Sequence, residues 1–432
     1  MLNRKYTIFE TFVGVGGSHI GFKRNGFKSL YVNDFCHEAI ESLLINNPEI
    51  KKTAYVDERS ILDINPTELL DMVRINKGEL DVLFGGIVCK GFSLAGERSP
   101  SDERNYFYHK QLEFVSALKP KISIIENVPG IVAGEVLSPK TPKDIVDQVN
   151  LVWKQLEVYK GNKANLRKIG KITPEVEKEG VELRKKKFDL MSFIKKNGYL
   201  IPVYDDIMNS YKELNYKVYA HLVNSACYGA ATKRERIIIV AIRNDINIPF
   251  VFPRATHGND TLIKKYPYLY DENTKVLPLK TVNDALNEID YSNKLDNDNI
   301  PMNHSQKTIE RFKYIPEGDN IAAHMDIVPE ELKISKFYSR GNTMRLDRNS
   351  PSPTLVPGHS NFPIHPFENR SITVREAATI TGFPVNYKFV GSHTKRCEEV
   401  GNAVPPPLST AIAKAVKDVL NKYYEKNNVV EE

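Results

Sequence analysis

Through the first half of the chain, short apolar runs alternate with stretches whose apolar residues recur at helical spacing. Residues 6–13 are β-rich and run into Gly14-Val15-Gly16-Gly17, and Ser18 stands where it could cap a helix over 19–24. Residues 29–32 predict a short strand and 37–45 a helix. A second helix runs over 66–73, with Pro66 in its first turn. Residues 81–84 predict a buried strand ending at Gly85-Gly86. A helix over 111–118 precedes an apolar strand over 121–125, and strands over 217–223 and 236–242 complete the series. Strands alternating with helices at this spacing predict an α/β fold built on a doubly wound, mostly parallel sheet.

Two stretches break the rhythm. Between 151 and 200 there are 13 Lys and Arg against 6 Asp and Glu, so this window alone carries more than the whole chain's net charge of +6. A helix is expected over 176–197, with Arg184-Lys185-Lys186-Lys187 inside it. One reading is a solvated helical insertion over about 137–205; the other is an arm that contacts phosphate. Residues 246–345 are rich in Pro, Asn, Asp and Tyr and weakly periodic, which suits a smaller, loop-rich domain. The last residues, 423–432, read as a frayed polar tail.

Composition sets bounds. With 432 residues, 41% hydrophobic and 26% charged, the chain can bury a sizeable core, which excludes a disordered, collagen-like or disulfide-scaffold protein. The mild positive charge permits a polyanionic partner without demanding one. Cys36, Cys89, Cys227 and Cys397 form no C-x-x-C pair, so no thiolate zinc site is expected, and free thiols suit a reducing cytosol. The strongly apolar run over 237–242 is too short to span a bilayer, and the N-terminus reads poorly as a signal peptide. A soluble, cytoplasmic protein is expected.

The candidate chemistry lies where strands end. Glycines after the first strand let the backbone turn sharply and approach a ligand, although such turns serve nicotinamide, flavin, nucleotide and methyl-donor cofactors alike. Asp34 follows the second strand, where a carboxylate could accept both ribose hydroxyls or cap a helix. Cys89 lies in the glycine-rich loop after the strand at 81–84. A lone Cys is commonly a small core residue, but past a strand's carboxyl end it is placed to act as a nucleophile. Glu126, in Glu126-Asn127-Val128, follows another apolar strand and would share that edge of the sheet. A thiol and a carboxyl able to exchange a proton make a working pair. Arg234 and Arg236, in Thr232-Lys233-Arg234-Glu235-Arg236, either clamp an anionic or base edge or form a strand's polar rim.

These blocks, in this order, resemble the DNA cytosine-5 methyltransferase family of bacterial restriction-modification type. The family carries a Phe-x-Gly-x-Gly-Gly turn, a Pro-Cys-Gln loop, Glu-Asn-Val, Gln-x-Arg-x-Arg and a final Gly-Asn-x-Val. Here the matches are Phe12-x-Gly14-x-Gly16-Gly17, Cys89, Glu126-Asn127-Val128, Arg234-x-Arg236 and Gly401-Asn402-Ala403-Val404. Segments around Arg345 to Thr354 and His365 to Pro384 are similar to further family motifs. The departures are Val88 for the proline before the cysteine, Lys90 and Thr232 for two glutamines, and Ser60 for an aspartate.

The resemblance implies a Rossmann-like methyltransferase domain over 1–245, a target-recognition domain over 246–395 and a segment over 396–432 returning to the first. It implies methyl transfer from S-adenosylmethionine to C5 of a flipped-out cytosine in a specific sequence of double-stranded DNA. Cys89 would form a covalent bond to C6, Glu126 would hold N3 and the amino group, and Arg236 would hold O2 with Arg234 in support. Phe12, Gly14, Gly16, Gly17, Asp34, Phe35, Ile61, Phe107 and Asn402 would line the methyl-donor pocket. Ser93 and Arg98 would lie near DNA phosphate. A monomer is implied, whose cognate restriction endonuclease shares the recognition site but need not bind the enzyme.

Overall fold

The computed structural model describes residues 5–87, 99–102, 106–271, 275–334 and 341–428. In chain order the strands are β1 (Thr7–Thr11), β2 (Lys28–Asn33), β3 (Tyr55–Asp57), β4 (Val82–Gly86), β5 (Ile122–Asn127), β6 (Glu135–Leu137), β7 (Leu200–Pro202), β8 (Tyr216–Asn224), β9 (Thr232–Lys233), β10 (Glu235–Arg243) and β11 (Ser352–Pro353). The helices are α1 (Gly17–Arg24), α2 (His37–Asn46), α3 (Ile50–Thr53), α4 (Glu68–Val73), α5 (Phe107–Leu118), α6 (Lys143–Lys168), α7 (Pro174–Lys196), α8 (Val203–Glu213), α9 (Asp260–Lys265), α10 (Val282–Leu286), α11 (Gln306–Phe312), α12 (Val374–Thr381), α13 (His393–Asn402) and α14 (Pro406–Asn428). Residues fall into two compact units, one of Met1–Gly86, Phe114–Glu126 and Lys217–Glu432, the other of Ile87–Glu113 and Asn127–Tyr216.

The first unit is built on a seven-stranded sheet in the order β3-β2-β1-β4-β5-β10-β8. The pairs β1–β2, β2–β3, β1–β4 and β4–β5 are all parallel, as the alternation of strand and helix predicts. Strand order reverses between β1 and β4, which is where open α/β sheets leave a crevice off their carboxyl ends. The strands are near-continuous apolar runs because both faces are covered; every residue of β10 from Ile237 to Ile242 is buried.

Buried polar groups fix the ends of this sheet. Asp81 accepts from the Thr7 amide at 2.8 Å and from the Tyr424 hydroxyl at 2.6 Å, and its carboxylate lies 3.2 Å from Lys121 Nζ. Tyr424 also stacks on Tyr6 with ring centroids 5.7 Å apart. The expected frayed tail is therefore wrong through residue 428: α14 continues to Asn428 because Tyr424 finds partners in Asp81 and Tyr6 beside the sheet. A second correction concerns Ser18. The helix begins two residues earlier, with Gly16 as its N-cap, and the Ser18 hydroxyl donates instead to buried Glu10 at 3.3 Å.

Residues 246–351 carry only short helical turns and isolated bridges among the described residues. Their rigidity comes from side chains that satisfy backbone. Arg345 is buried, and its guanidinium donates to the carbonyls of Phe312, Ile315, His365 and Glu368 and to Asn369, all at 2.7 to 2.8 Å. One planar fork thus replaces a ladder of strand hydrogen bonds.

In the second unit, β6 pairs antiparallel with β7. Helices α6 and α7 form a hairpin closed by Leu156, Tyr159 and Leu183. Gly180 is required there, because a Cβ would collide with the Tyr159 ring.

The Arg345 fan yields a prediction. Arg345→Lys leaves several buried carbonyls without a donor, and each such group costs about 1–3 kcal/mol. Urea unfolding of this variant should show a loss of at least about 2 kcal/mol.

Candidate active site

The turn after β1 is built by strain and close packing together. Phe12 adopts φ +53°, Gly14 +53° and Gly16 +86°. A Cβ at Gly16 would strike Leu43 and one at Gly17 would strike the Val404 carbonyl, so these two glycines bring α2 and the C-terminal segment against the turn. Gly14 differs: a Cβ there would meet nothing within 4 Å, so its face of the turn is open.

Asp34 closes this turn from the end of β2. Its carboxylate accepts from the Gly14 amide at 2.8 Å and from the Cys36 amide at 3.0 Å. Burial pushes its pKa up, and the two amides pull it back. Asp34 is thus tied to backbone on two sides, while the next residue, Phe35, is 69% exposed. A large exposed phenyl ring beside an open glycine turn offers a platform for a flat ring system. Ile61 is buried in a short turn over Ile61–Asp63, and the Ser60 hydroxyl caps that turn by accepting from the Leu62 amide at 3.3 Å.

Glu126 and Arg236 meet across neighbouring strands. Glu126 lies inside β5 rather than past it, in register with Gly86 of β4. It is buried, and its Oε1 lies 2.6 Å from Arg236 Nε in β10. Arg234, two residues earlier, serves a different set of atoms. Its guanidinium donates to the carbonyls of Gly401 at 2.6 Å and Asn402 at 3.1 Å. Burial lowers its pKa well below the ordinary value, the like charge of Arg236 adds to this, and Glu126 opposes it.

Thr232 is explained by the same neighbourhood. Its hydroxyl donates to the Pro353 carbonyl at 3.0 Å, and β9 pairs in parallel with β11. The threonine therefore fastens residues 352–354 to the strand that leads to Arg234. Asn402 itself is exposed at the end of α13.

Phe107 starts α5 and belongs to the second unit. Cys89, Ser93 and Arg98, with Val88 and Lys90, lie outside the described residues. Two contributors escaped sequence reasoning. The Tyr387 hydroxyl donates to the Val15 carbonyl at 2.5 Å inside the glycine turn, and no local pattern marks it. The fixed spacing of Gly401 and Val404 was visible, but not that the Val404 carbonyl sits against Gly17.

A sequence profile described as C-5 cytosine-specific DNA methylase matches residues 6–151 and 194–418. The chain belongs to this family. As a member it is a DNA cytosine-5-methyltransferase. The family match skips 152–193, which lies within the α6–α7 hairpin. Among its relatives are the type II methyltransferase M.NgoFVII of Neisseria gonorrhoeae, 27% identical over 429 residues, and M.DdeI of Desulfomicrobium norvegicum, 25% identical over 453 residues. Each alignment covers 98% of this chain and 90% of the relative. An Escherichia coli prophage protein assigned as a DNA modification methyltransferase has the same fold, with a TM-score of 0.58 and 22% identity over 96% of this chain and all of that one. A DNMT2 variant from Spodoptera frugiperda superposes with a TM-score of 0.52 at 13% identity, over 96% of this chain and all of that one.

The helix that ends in Asn402 carries a titrating group. Glu399 is buried, with the Ser42 hydroxyl donating to one oxygen at 3.0 Å. Burial raises its pKa to about 8. The folded methyltransferase thus holds this proton where the unfolded chain has lost it, so stability falls as pH rises from about 4.5 toward 8. Glu399→Gln should remove that penalty. Its gain in thermal stability over the wild type should be small at pH 5 and exceed about 1.4 kcal/mol, the worth of one pKa unit, at pH 8.

Proposed function

We propose that the enzyme methylates C5 of a flipped-out cytosine within a short sequence of duplex DNA, as the modification half of a type II restriction-modification system. The observation that carries the reading is the buried 2.6 Å pair of Glu126 and Arg236 at the carboxyl edge of the sheet. A carboxyl and a guanidinium side by side present an acceptor and donors in the order that the N3, amino and O2 edge of cytosine requires.

C5 of cytosine is a weak nucleophile. The Cys89 thiolate attacks C6, forming the S–C6 bond and driving electron density onto C5. Glu126 stabilises that density by holding N3 as it gains a proton, and Arg236 holds O2. C5 then carries the incoming methyl group, loses its proton, and the electron pair returned to the ring expels Cys89 as thiolate. Arg234 is a positioning residue, since its donors are committed to the carbonyls of Gly401 and Asn402.

The residues of the glycine turn suit S-adenosylmethionine. The open face of Gly14, the exposed Phe35 ring and the Asp34 carboxylate match a purine, a ribose and the approach of backbone to a ligand. When bound, this group supplies the methyl as an electrophile. Phe12, Gly14, Asp34, Phe35, Ile61 and Asn402 would hold it, with Gly16 and Gly17 shaping the turn and Phe107 contributing from α5. Ser93 and Arg98 would meet phosphate in the loop after Cys89. Thr232 and Ser60 make other bonds well, so the departures at these positions suit an active enzyme with locally different supports.

Bisulfite sequencing of plasmid from cells expressing the protein should reveal protected cytosines in one short context. Cys89→Ser should abolish protection, and Glu126→Gln should lower the methylation rate about 10²- to 10⁴-fold. Uniformly unprotected plasmid, with soluble wild-type protein present, would sink the reading.

A further inference from the structure

The family match leaves out residues 152–193, most of the α6–α7 hairpin, and this hairpin lines a cavity. The cavity measures about 680 Å³; its lining includes Trp153, Lys154, Lys160, Arg184 and Lys187, together with Ser99 and the carboxylates of Asp102 and Glu157. Ser99 and Asp102 follow directly on the loop that carries Cys89. Asn150 of α6 accepts a hydrogen bond from the Ser101 hydroxyl at 2.6 Å, so the hairpin and the end of that loop are joined.

The cations here are of two kinds. Lys163 is neutralised by Glu177 at 2.6 Å. Lys154, Arg184 and Lys187 make no ion pair among the described residues, and Lys187 lies 5.0 Å from the centre of the Trp153 ring instead. Burial lowers the pKa of Lys160, and the like charge of Lys187 lowers it further. The Trp153 indole N–H is buried without a hydrogen-bond partner among the described residues. Cations that outnumber the Asp102 and Glu157 carboxylates around an unused donor are the arrangement that a bound anion relieves. Within the run from Arg184 to Lys187, only Arg184 and Lys187 face the cavity. They lie three residues apart on one face of α7, while Lys185 and Lys186 are exposed elsewhere on it.

We propose that this cavity seats a backbone phosphate of duplex DNA, giving the enzyme an anchor outside the family's shared core. The inference rests on the reading that duplex DNA is the substrate. Phosphate held here lies beside residues 99–102, which follow in sequence on the segment that carries Cys89.

Trp153 is the chain's one tryptophan, so its emission reports on the cavity alone. Duplex DNA should quench it, and so should tripolyphosphate titrated without DNA. Lys154→Gln/Lys187→Gln should abolish both responses. It should also lower the slope of log affinity against log salt by about 1 to 2, at about 0.9 for each phosphate that is no longer neutralised. Lys185→Gln/Lys186→Gln removes equal charge from the same hairpin and should change the slope far less. Thermal midpoints equal to the wild type's check that both variants fold. Equal slopes for the two double variants, or an emission unmoved by duplex, would overturn the proposal. Quenching by tripolyphosphate without quenching by duplex would overturn the DNA assignment, while bisulfite protection would still uphold the catalytic reading.

Discussion

Arg234 is a cation buried where the sheet, the Pro353 segment and the C-terminal motif converge, and it has backbone carbonyls for partners. A buried guanidinium is costly unless its donors are used. Here the two terminal nitrogens bind Gly401 and Asn402, residues more than 160 positions away in sequence, while Nε has no partner among the described residues. That bond set brings the end of α13 to β10. Val404 follows, and its carbonyl leaves room only for a glycine at position 17. The Gly16-Gly17 corner then sets the conformation at Gly14, where the turn is open to a ligand. The Ser409 hydroxyl adds a second tie, donating to the Gly17 carbonyl at 2.7 Å.

The neighbouring arginine shows how position along one strand divides labour. Arg234 and Arg236 stand two residues apart, so they project from the same face of extended backbone. Arg236 reaches Glu126 on the adjacent strand, and Arg234 reaches carbonyls. Two similar residues thus take different roles because their partners differ in charge. One arginine stands against a buried carboxylate; the other donates to backbone carbonyls.

The departures from the family pattern have local physical causes where the structure describes them. Thr232 gives its hydroxyl to Pro353 and its backbone to a short parallel pairing with β11. Ser60 caps the turn that buries Ile61. Both keep their segments in place with shorter side chains than the family's usual residues. The loop-rich region makes a related point. It lacks long strands among its described residues, yet Arg345 orders it by satisfying four carbonyls at once.

The sequence by itself determined six of the seven strands of the sheet and missed the three-residue β3 at its edge. Apolar runs such as 237–242 mark buried strands, so strand positions along the chain were legible from periodicity, while their order across the sheet came from the tertiary structure. The ordered motifs named the family and the candidate residues. Side-chain partners were not legible, because they depend on contacts across hundreds of residues. Ser18 looked like a cap until Glu10 offered it a buried acceptor. Residues 423–428 looked frayed until Tyr424 met Asp81 and Tyr6. The family resemblance already put Arg234 in support of Arg236, but it did not say what Arg234 binds. Only the tertiary structure gave Arg234 its carbonyls and Arg236 its carboxylate, because a side chain's partners are set by which buried charge or carbonyl the fold brings to it.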